Sequence, residues 1–383
     1  MTLLGGIELK GFKNVRIKNV ITYILSILCT MLATLCFIIR VPYIIKTISN
    51  PFQLFSASFI LPNGIFSKLS NRKNDFLNDK TSQIEHNKVH SKKPFKGNVR
   101  AKNNDNKQVI SYEEEEHSQD EKTYKITETQ FAGVGMSYEN FYVKNKTNIN
   151  LNIAEELSKR PDINIKKDGN PQVLIIHTHT TESYMKMDQG FYYESFYPRS
   201  IDPLKNVIQV GNAIEEKLKK AKIGVIHDTT YHDNPTYNGS YSRSAATIRS
   251  NLEKYPSINV VLDIHRDAIG SNNCGKIKPT FKVDGRKAAQ IMIISGCDQD
   301  GTIGFKDWEY NLRFALRLQK MGETMYPGLT RALSFANVKY NMNITHGSLL
   351  IEVGSDSNTL DEAVYSGGLL GNALVNVLNE LMK

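Results

Sequence analysis

Three short stretches hold side chains that could do chemistry together. IIHTHTTES carries His177, His179 and Glu182; LDIHRDA carries Asp263, His265, Arg266 and Asp267; LLIEVGSDSN carries Glu352 alone in an apolar run. Two imidazoles and one carboxylate are a recognised catalytic zinc set, which leaves a fourth position open for water. A zinc ion held this way lowers the pKa of its water to about 7. A further carboxylate must then carry protons from the water to the leaving group. Glu352 is the candidate, because an unpaired charge in an apolar strand is expensive unless it is used.

Each piece also has a plainer reading. His177 and His179 are two apart, so in an extended segment they face the same way. One of them could simply bond to the backbone. Glu182 could cap a turn, His265 could be a satisfied core histidine, and Glu352 could pair with Arg266 as a buried ion pair. His227 and His232, in VIHDTTYHD, have a spacing that suits no helical zinc motif and read as surface or groove residues. His346 has no assignment. No HExxH, GxSxG, P-loop or GxGxxG pattern supports a rival enzyme class. What makes the set specific is its recurrence at the ends of successive strands.

Those strands are legible. VLII at 173–176, IGVI at 223–226, INVVLDI at 258–264, QIMIIS at 290–295 and SLLIEV at 348–353 are short apolar runs bounded by polar residues. Between them lie helical patterns at 206–220, 244–254 and 310–325, the last two stopped by Pro256 and Pro327. A final helix opens at Thr359-Leu360-Asp361-Glu362, a polar cap with an acidic first turn. The alternation predicts an α/β domain, a largely parallel sheet flanked by helices. In such sheets ligands gather beyond the carboxyl ends of the strands.

The rest of the chain is different in kind. Its 383 residues are roughly two to three domains' worth. Residues 20–39 are uncharged and apolar on every face, long enough at about 1.5 Å per residue to cross a bilayer core. Lys10, Lys13, Arg16 and Lys18 precede them, which predicts a cytoplasmic N-terminus over 1–19 and export of the chain beyond residue 39. A cleaved signal peptide is the alternative, but no small-x-small site comes after the apolar run. Residues 67–123 are polar and rich in Lys and Asn, too poor in apolar surface to offset their ordering entropy; with Tyr43–Phe66, which either continues the anchor or lies along the membrane, residues 40–123 read as a flexible, disordered extracytoplasmic tether. The basic run lacks interleaved aromatics, which argues against nucleic acid. Residues 124–171 have moderate apolar content and no clear assignment. The catalytic-looking domain is 172–383. The net charge of +9 suits an anionic partner. Four cysteines without CxxC spacing exclude a zinc ribbon, a thioredoxin-type site and a disulfide-stapled mini-domain.

HTHTTESY, GVIHDTTYHD, SYSRSA, LDIHRDA, YPGLTRAL and LLIEVGSDSNTLDEA together resemble the stage II sporulation protein P family, over roughly residue 172 to the C-terminus. The late E-x-G-x-x-x-N segment is similar to zinc-dependent N-acetylmuramoyl-L-alanine amidases. The resemblance implies a peptidoglycan hydrolase of engulfment that cuts the amide between N-acetylmuramic acid and L-alanine, and is also described as cutting peptide cross-links. It implies a single-pass membrane protein facing the space between forespore and mother cell membranes. Its implied partners are the lytic transglycosylase of the same stage, protein D, and the membrane protein M. The family's metal pattern falls on one histidine of His177 and His179, on Glu182 and on His265. The amidase placement favours His179, with both held open. The catalytic glutamate falls on Glu352, and Arg266 stands as an orienter of Glu352 or of a substrate carboxylate. A membrane-tethered wall-binding scaffold without activity and a metal-independent hydrolase are the competing readings.

Overall fold

The computed structural model describes residues 120–271 and 274–382. The expected cytoplasmic N-terminus, membrane anchor and nearly all of the tether lie outside them. Among the described residues no helix is long and apolar enough to cross a membrane.

In chain order the elements are β1 (Thr123–Thr129), β2 (Met136–Tyr138), β3 (Phe141–Asn145), α1 (Ile153–Ser158), β4 (Pro171–Ile176), β5 (Phe191–Tyr193), α2 (Ile208–Lys220), β6 (Gly224–His227), α3 (Ser240–Lys254) and β7 (Val260–Asp267). Then come β8 (Gly270–Ser271), β9 (Gly275–Val283), β10 (Arg286–Ala289), β11 (Ile291–Gly296), α4 (Trp308–Met325), β12 (Leu333–Ala336), a 3-10 turn at Met342–Ile344, β13 (Gly347–Ser355) and α5 (Leu360–Glu380). The expected strands and helices are all present, with ends shifted by a few residues.

The main sheet has the order β2-β3-β12-β11-β13-β7-β4-β6. Strands β13, β7, β4 and β6 run parallel. Strand β11 runs antiparallel to β13 and parallel to β12, which is parallel to β3. The sheet is therefore mixed, not largely parallel. The reason lies in the connection from β7. A parallel neighbour needs a crossover of about a dozen residues or more, usually a helix. Here the chain leaves β7 into a second sheet, ordered β10-β9-β1-β5 with β8 paired to β9. It returns through the β9–β10 hairpin and enters β11 directly, reversed.

Helices α2, α4 and α5 contribute to the principal core, which holds Val173, Ile175, Leu262, Ile264, Ile351 and Val353 of the sheet. Helix α3 covers part of the other face through Ile248, against Leu174, Ile176 and Val261. Residues 124–171 supply β1 to the second sheet, and β2 and β3 to the main one. Strand β9 buries two lysines, Lys276 and Lys278, alongside Phe281. Lys278, 1% exposed, lies 3.0 Å from Glu128 and Glu362 and 2.6 Å from Asp188. That ammonium joins the second sheet to the start of α5, where Thr359 and Glu362 form a reciprocal capping box.

Candidate active site

The parallel half of the sheet brings the three chemical stretches together. Ile176 at the end of β4 is level with Asp263 on β7, and His265 is level with Glu352 on β13. Asp263, His265 and Asp267 alternate along β7, so their side chains share one face.

Strand β4 stops at Ile176 and the chain turns through 178–181. His177 and His179 are thus not related by β alternation, and they do different things. The Nδ1–H of His177 donates to the Ile264 carbonyl at 2.9 Å, and its Nε2 lies 2.9 Å from His227 Nε2. Gly211 on α2 makes room for that pair, since a Cβ there would stand 2.5 Å from the His227 ring. Burial and the charge of His227 push the His177 pKa down to about 3. Both of its nitrogens are used within the chain.

His179 is the other case. Its Nδ1 is buried without a hydrogen-bond partner. The ring stacks on Tyr237 at 4.4 Å and meets His265 edge to face at 5.3 Å. Burial pushes its pKa down to about 4, so it presents a neutral nitrogen lone pair. Glu182 comes directly after the turn. Its Oε2 accepts the backbone N–H of Arg266 at 3.1 Å and lies 3.4 Å from His265 Nδ1. Burial alone would raise the Glu182 pKa; the His265 hydrogen bond and the Arg266 charge override it and hold it at about 2.

His265 is flanked on its other side by Asp263, whose Oδ1 is 2.9 Å from Nε2, although that approach does not form a directed hydrogen bond. Asp263 is itself fixed by the backbone N–H and hydroxyl of Thr178, at 2.8 and 2.6 Å. Burial works against a charge on His265, yet Asp263 and Glu182 together raise its pKa well above the ordinary value. Glu352 is half-buried, with Oε2 lacking a partner. Burial and the nearby Asp267 carboxylate raise its pKa to about 8, against the pull of His265 and Arg331.

Arg266 does not orient Glu352. Its Nε donates to the Ser183 carbonyl at 2.8 Å, Nη2 to the Pro198 carbonyl and Nη1 to the Asp267 carbonyl at 3.3 Å. It braces the segment downstream of Glu182. The guanidinium whose charge reaches Glu352 belongs instead to Arg331, just before β12, with Nη1 2.9 Å from Asp267 Oδ2. Nothing in the spacing of YPGLTRAL marks that residue, and only the fold brings it here. Asp263 was within reach of the sequence, as an acid two positions before His265 on the same strand face.

The remaining histidines divide differently from expectation. His232 is buried, with Nδ1 donating to the His177 carbonyl at 2.8 Å and Nε2 2.9 Å from Thr247 Oγ1. His227 completes the pair with His177. Both support the turn; His232 is buried and His227 half-buried. His346 is separate, 2.7 Å from Asp162. A second brace lies behind the turn, where Asp233 accepts from Thr181 and from Arg199 Nη1 at 2.7 Å. No group of three or more His, Cys, Asp or Glu side chains is drawn together at metal-ligand spacing among the described residues.

The family model described as "Stage II sporulation protein P (SpoIIP)" matches residues 63–375. Stage II sporulation protein P of Bacillus subtilis (strain 168) is 26% identical over 282 residues, 67% of this chain and 66% of that protein. The match thus spans just under two-thirds of the relative's own length. Among solved structures, the apo N-acetylmuramyl-L-alanine amidase of Mycobacterium abscessus aligns with 55% of this chain and 99% of its own, at 12% identity and TM-score 0.33. The CwlD amidase of Clostridioides difficile, solved with the GerS lipoprotein, aligns with 55% and 98%, at 12% identity and TM-score 0.34. The described residues define an α/β protein with a mixed sheet and a histidine–carboxylate cluster on β7 and β13 and in the turn after β4. The chain belongs to the stage II sporulation protein P family.

Proposed function

We propose that the chain is a zinc-dependent peptidoglycan hydrolase of sporulation that cleaves the N-acetylmuramoyl-L-alanine amide. The observation that supports this best is the adjacency of His179, Glu182 and His265 to Glu352, with a buried and unpartnered His179 Nδ1 among them. These donors fit a zinc ion in type, two nitrogens and one carboxylate, and in burial, though their arrangement does not hold them at ligand spacing. Asp263 behind His265 is the outer-shell carboxylate that such ligands commonly have. His177, with both nitrogens occupied, is the weaker of the two histidine candidates. Bound at this cluster, zinc would supply an activated water and polarise the amide carbonyl.

The chain's own groups do the rest. Glu352 takes the proton of the attacking water and delivers it to the departing alanine nitrogen. A carboxyl raised to about 8 is suited to holding a proton near neutral pH. Tyr237 and Tyr241, against the His179 ring, wall one side of the cluster and limit its access to water. Cleavage of peptide cross-links, anchoring by residues 20–39 with the catalytic domain outside the cytoplasm, and action beside stage II proteins D and M belong to the same proposal.

The test is digestion of purified cell wall by the full chain, with and without a chelator, and identification of the new end groups. New N-terminal alanine and a requirement for metal are expected. Binding to the wall with no cleavage in the presence of zinc would favour the scaffold, and chelator-resistant cleavage would favour a metal-independent hydrolase. Replacing His265 with Ala should lower bound zinc; undiminished occupancy would remove it from the ligand set.

A further inference from the structure

Arg331 is 8% exposed, and its three guanidinium nitrogens are not used alike. Nη1 is held by Asp267 Oδ2 at 2.9 Å. Nε and Nη2 are buried and have no hydrogen-bond partner. These two lie on one edge of the planar group, and their parallel N–H bonds form the fork that takes a carboxylate through both of its oxygens. A buried donor left unmet is costly, and here two sit side by side. The Asp267 contact fixes the plane of the guanidinium, so the free edge is preset and not wandering. Phe131 lies against the group, with its ring centroid 5.8 Å from Cζ. The Glu352 carboxylate, though influenced by the Arg331 charge and itself carrying an unpartnered Oε2, does not close the fork.

The strand order says which part of a substrate would meet that edge. Across the sheet the sequence is β4, β7, β13, β11, β12. Glu182 and His179 come after β4, His265 is on β7, Glu352 is on β13 and Arg331 precedes β12. Glu352 therefore stands between the proposed metal cluster and Arg331. A group that protonates a departing amine must lie on the amine side of the scissile bond. The amine half of the substrate then continues past Glu352 toward Arg331. In an N-acetylmuramoyl-peptide amide the glycan half carries hydroxyls and acetamides, while the carboxylates belong to the peptide, which is the amine half.

We infer that the Nε–Nη2 edge of Arg331 is a subsite for a carboxylate of the stem peptide, and that it sets a preference for substrates whose peptide carboxylates are free. This rests on the proposed amidase reading. The experiment compares N-acetylmuramoyl-L-alanyl-D-glutamate with the same compound carrying its carboxylates as primary amides. Initial rates are measured with the zinc-loaded full chain, its Arg331→Gln variant and its Arg331→Lys variant. The wild type is expected to favour the free acid in kcat/KM by about thirtyfold, the worth of one bidentate charged pair. In Arg331→Gln the preference should fall to about threefold or less, with Arg331→Lys between, because an ammonium keeps the charge without the fork. Far-ultraviolet dichroism and thermal melting establish that the variants fold, and the wild-type ratio alone is decisive if one does not. A wild type indifferent to amidation overturns the inference, as does an Arg331→Gln variant that loses the same factor on both substrates and so keeps the wild-type ratio. A wild type that cleaves neither compound nor intact wall defeats the amidase reading instead.

Discussion

Arg266 offers the sharpest test of how the cluster is built. Its side chain makes two short charge-assisted bonds, from Nε to the Ser183 carbonyl at 2.8 Å and from Nη2 to the Pro198 carbonyl. The third, from Nη1 to the carbonyl of its own neighbour at 3.3 Å, is long enough to count for little. At about 1.5–3 kcal/mol for each bond to a charged group, the two are worth about 3–6 kcal/mol. The lower end applies, because the Pro198 oxygen also accepts from the Ser183 N–H at 3.2 Å and is not orphaned by the change. Arg266→Met should therefore cost about 3 kcal/mol in urea unfolding. Arg266→Lys, which reaches one carbonyl but not both, should cost about half of that. The backbone N–H that Glu182 uses is retained by any residue at 266, so its carboxylate stays in place and zinc occupancy should survive. Protease sensitivity of the 183–200 segment should rise in step with the stability loss. If Arg266→Met unfolds within about 1 kcal/mol of wild type, the brace is not what the contacts suggest. If stability is intact but wall cleavage is lost, Arg266 touches substrate after all.

The same contacts set three further outcomes. His177 is buried with a pKa lowered from 6.5 to about 3, so its contribution is complete above the unfolded value and lost as pH falls below it. Wild type should lose stability relative to His177→Asn at about 1.4 kcal/mol per pH unit below pH 6, read from urea midpoints, and equal slopes would refute the assignment. Glu352 has the opposite sign: its pKa is raised from 4.5 to about 8, so stability present below 4.5 is lost as pH rises through 8. Glu352→Gln should abolish amide cleavage and make the metal-free chain more stable than wild type at about pH 9, by about 2–4 kcal/mol once its partial exposure is discounted; no gain would mean the carboxylate is well solvated. Lys278→Met removes the ammonium shared by Asp188, Glu128 and the buried Glu362, and should cost about 3 kcal/mol in thermal unfolding; a loss under about 1 kcal/mol would show the network to be replaceable.

Apolar periodicity located every strand of the main sheet from β4 onward except β12, and every long helix, because each buries a face that the sequence must keep apolar. The second sheet was opaque for the same reason turned round. Strand β9 reads GKIKPTFKV, and its inward Lys276 and Lys278 are satisfied by Asp356 and by the acidic trio, so charge occupies positions where an apolar pattern would otherwise mark a strand. At the cluster, residue types were legible and partners were not. His177 and His179 look equivalent in HTHTTES, and only the end of β4 at Ile176 gives one a full set of hydrogen bonds and leaves the other with a bare nitrogen. In the sequence Arg266 reads as a partner or orienter of Glu352, but it adjoins His265 on β7, neighbours on a strand point to opposite faces, and the face of Arg266 is the one that meets the 183–198 segment.

The reversal of β11 explains why the ends of the strands do not reveal Arg331. In a sheet of parallel strands, every chemical residue at the functional edge comes after a strand. Here β11, β12 and β3 run against β13, so the residues they bring to that edge are the ones that precede them. Thr330 bridges to Ile291, and the Arg331 N–H donates to the Ile291 carbonyl, which fixes Arg331 at the entrance of β12 beside the exit of β13. A helical crossover from β7 would have produced a parallel β11 and carried Arg331 to the opposite edge. The β8–β10 excursion between β7 and β11 thus does more than add a second sheet. It sets the direction of the next strands, and through them it delivers a guanidinium to the side of Glu352 that the histidines do not occupy.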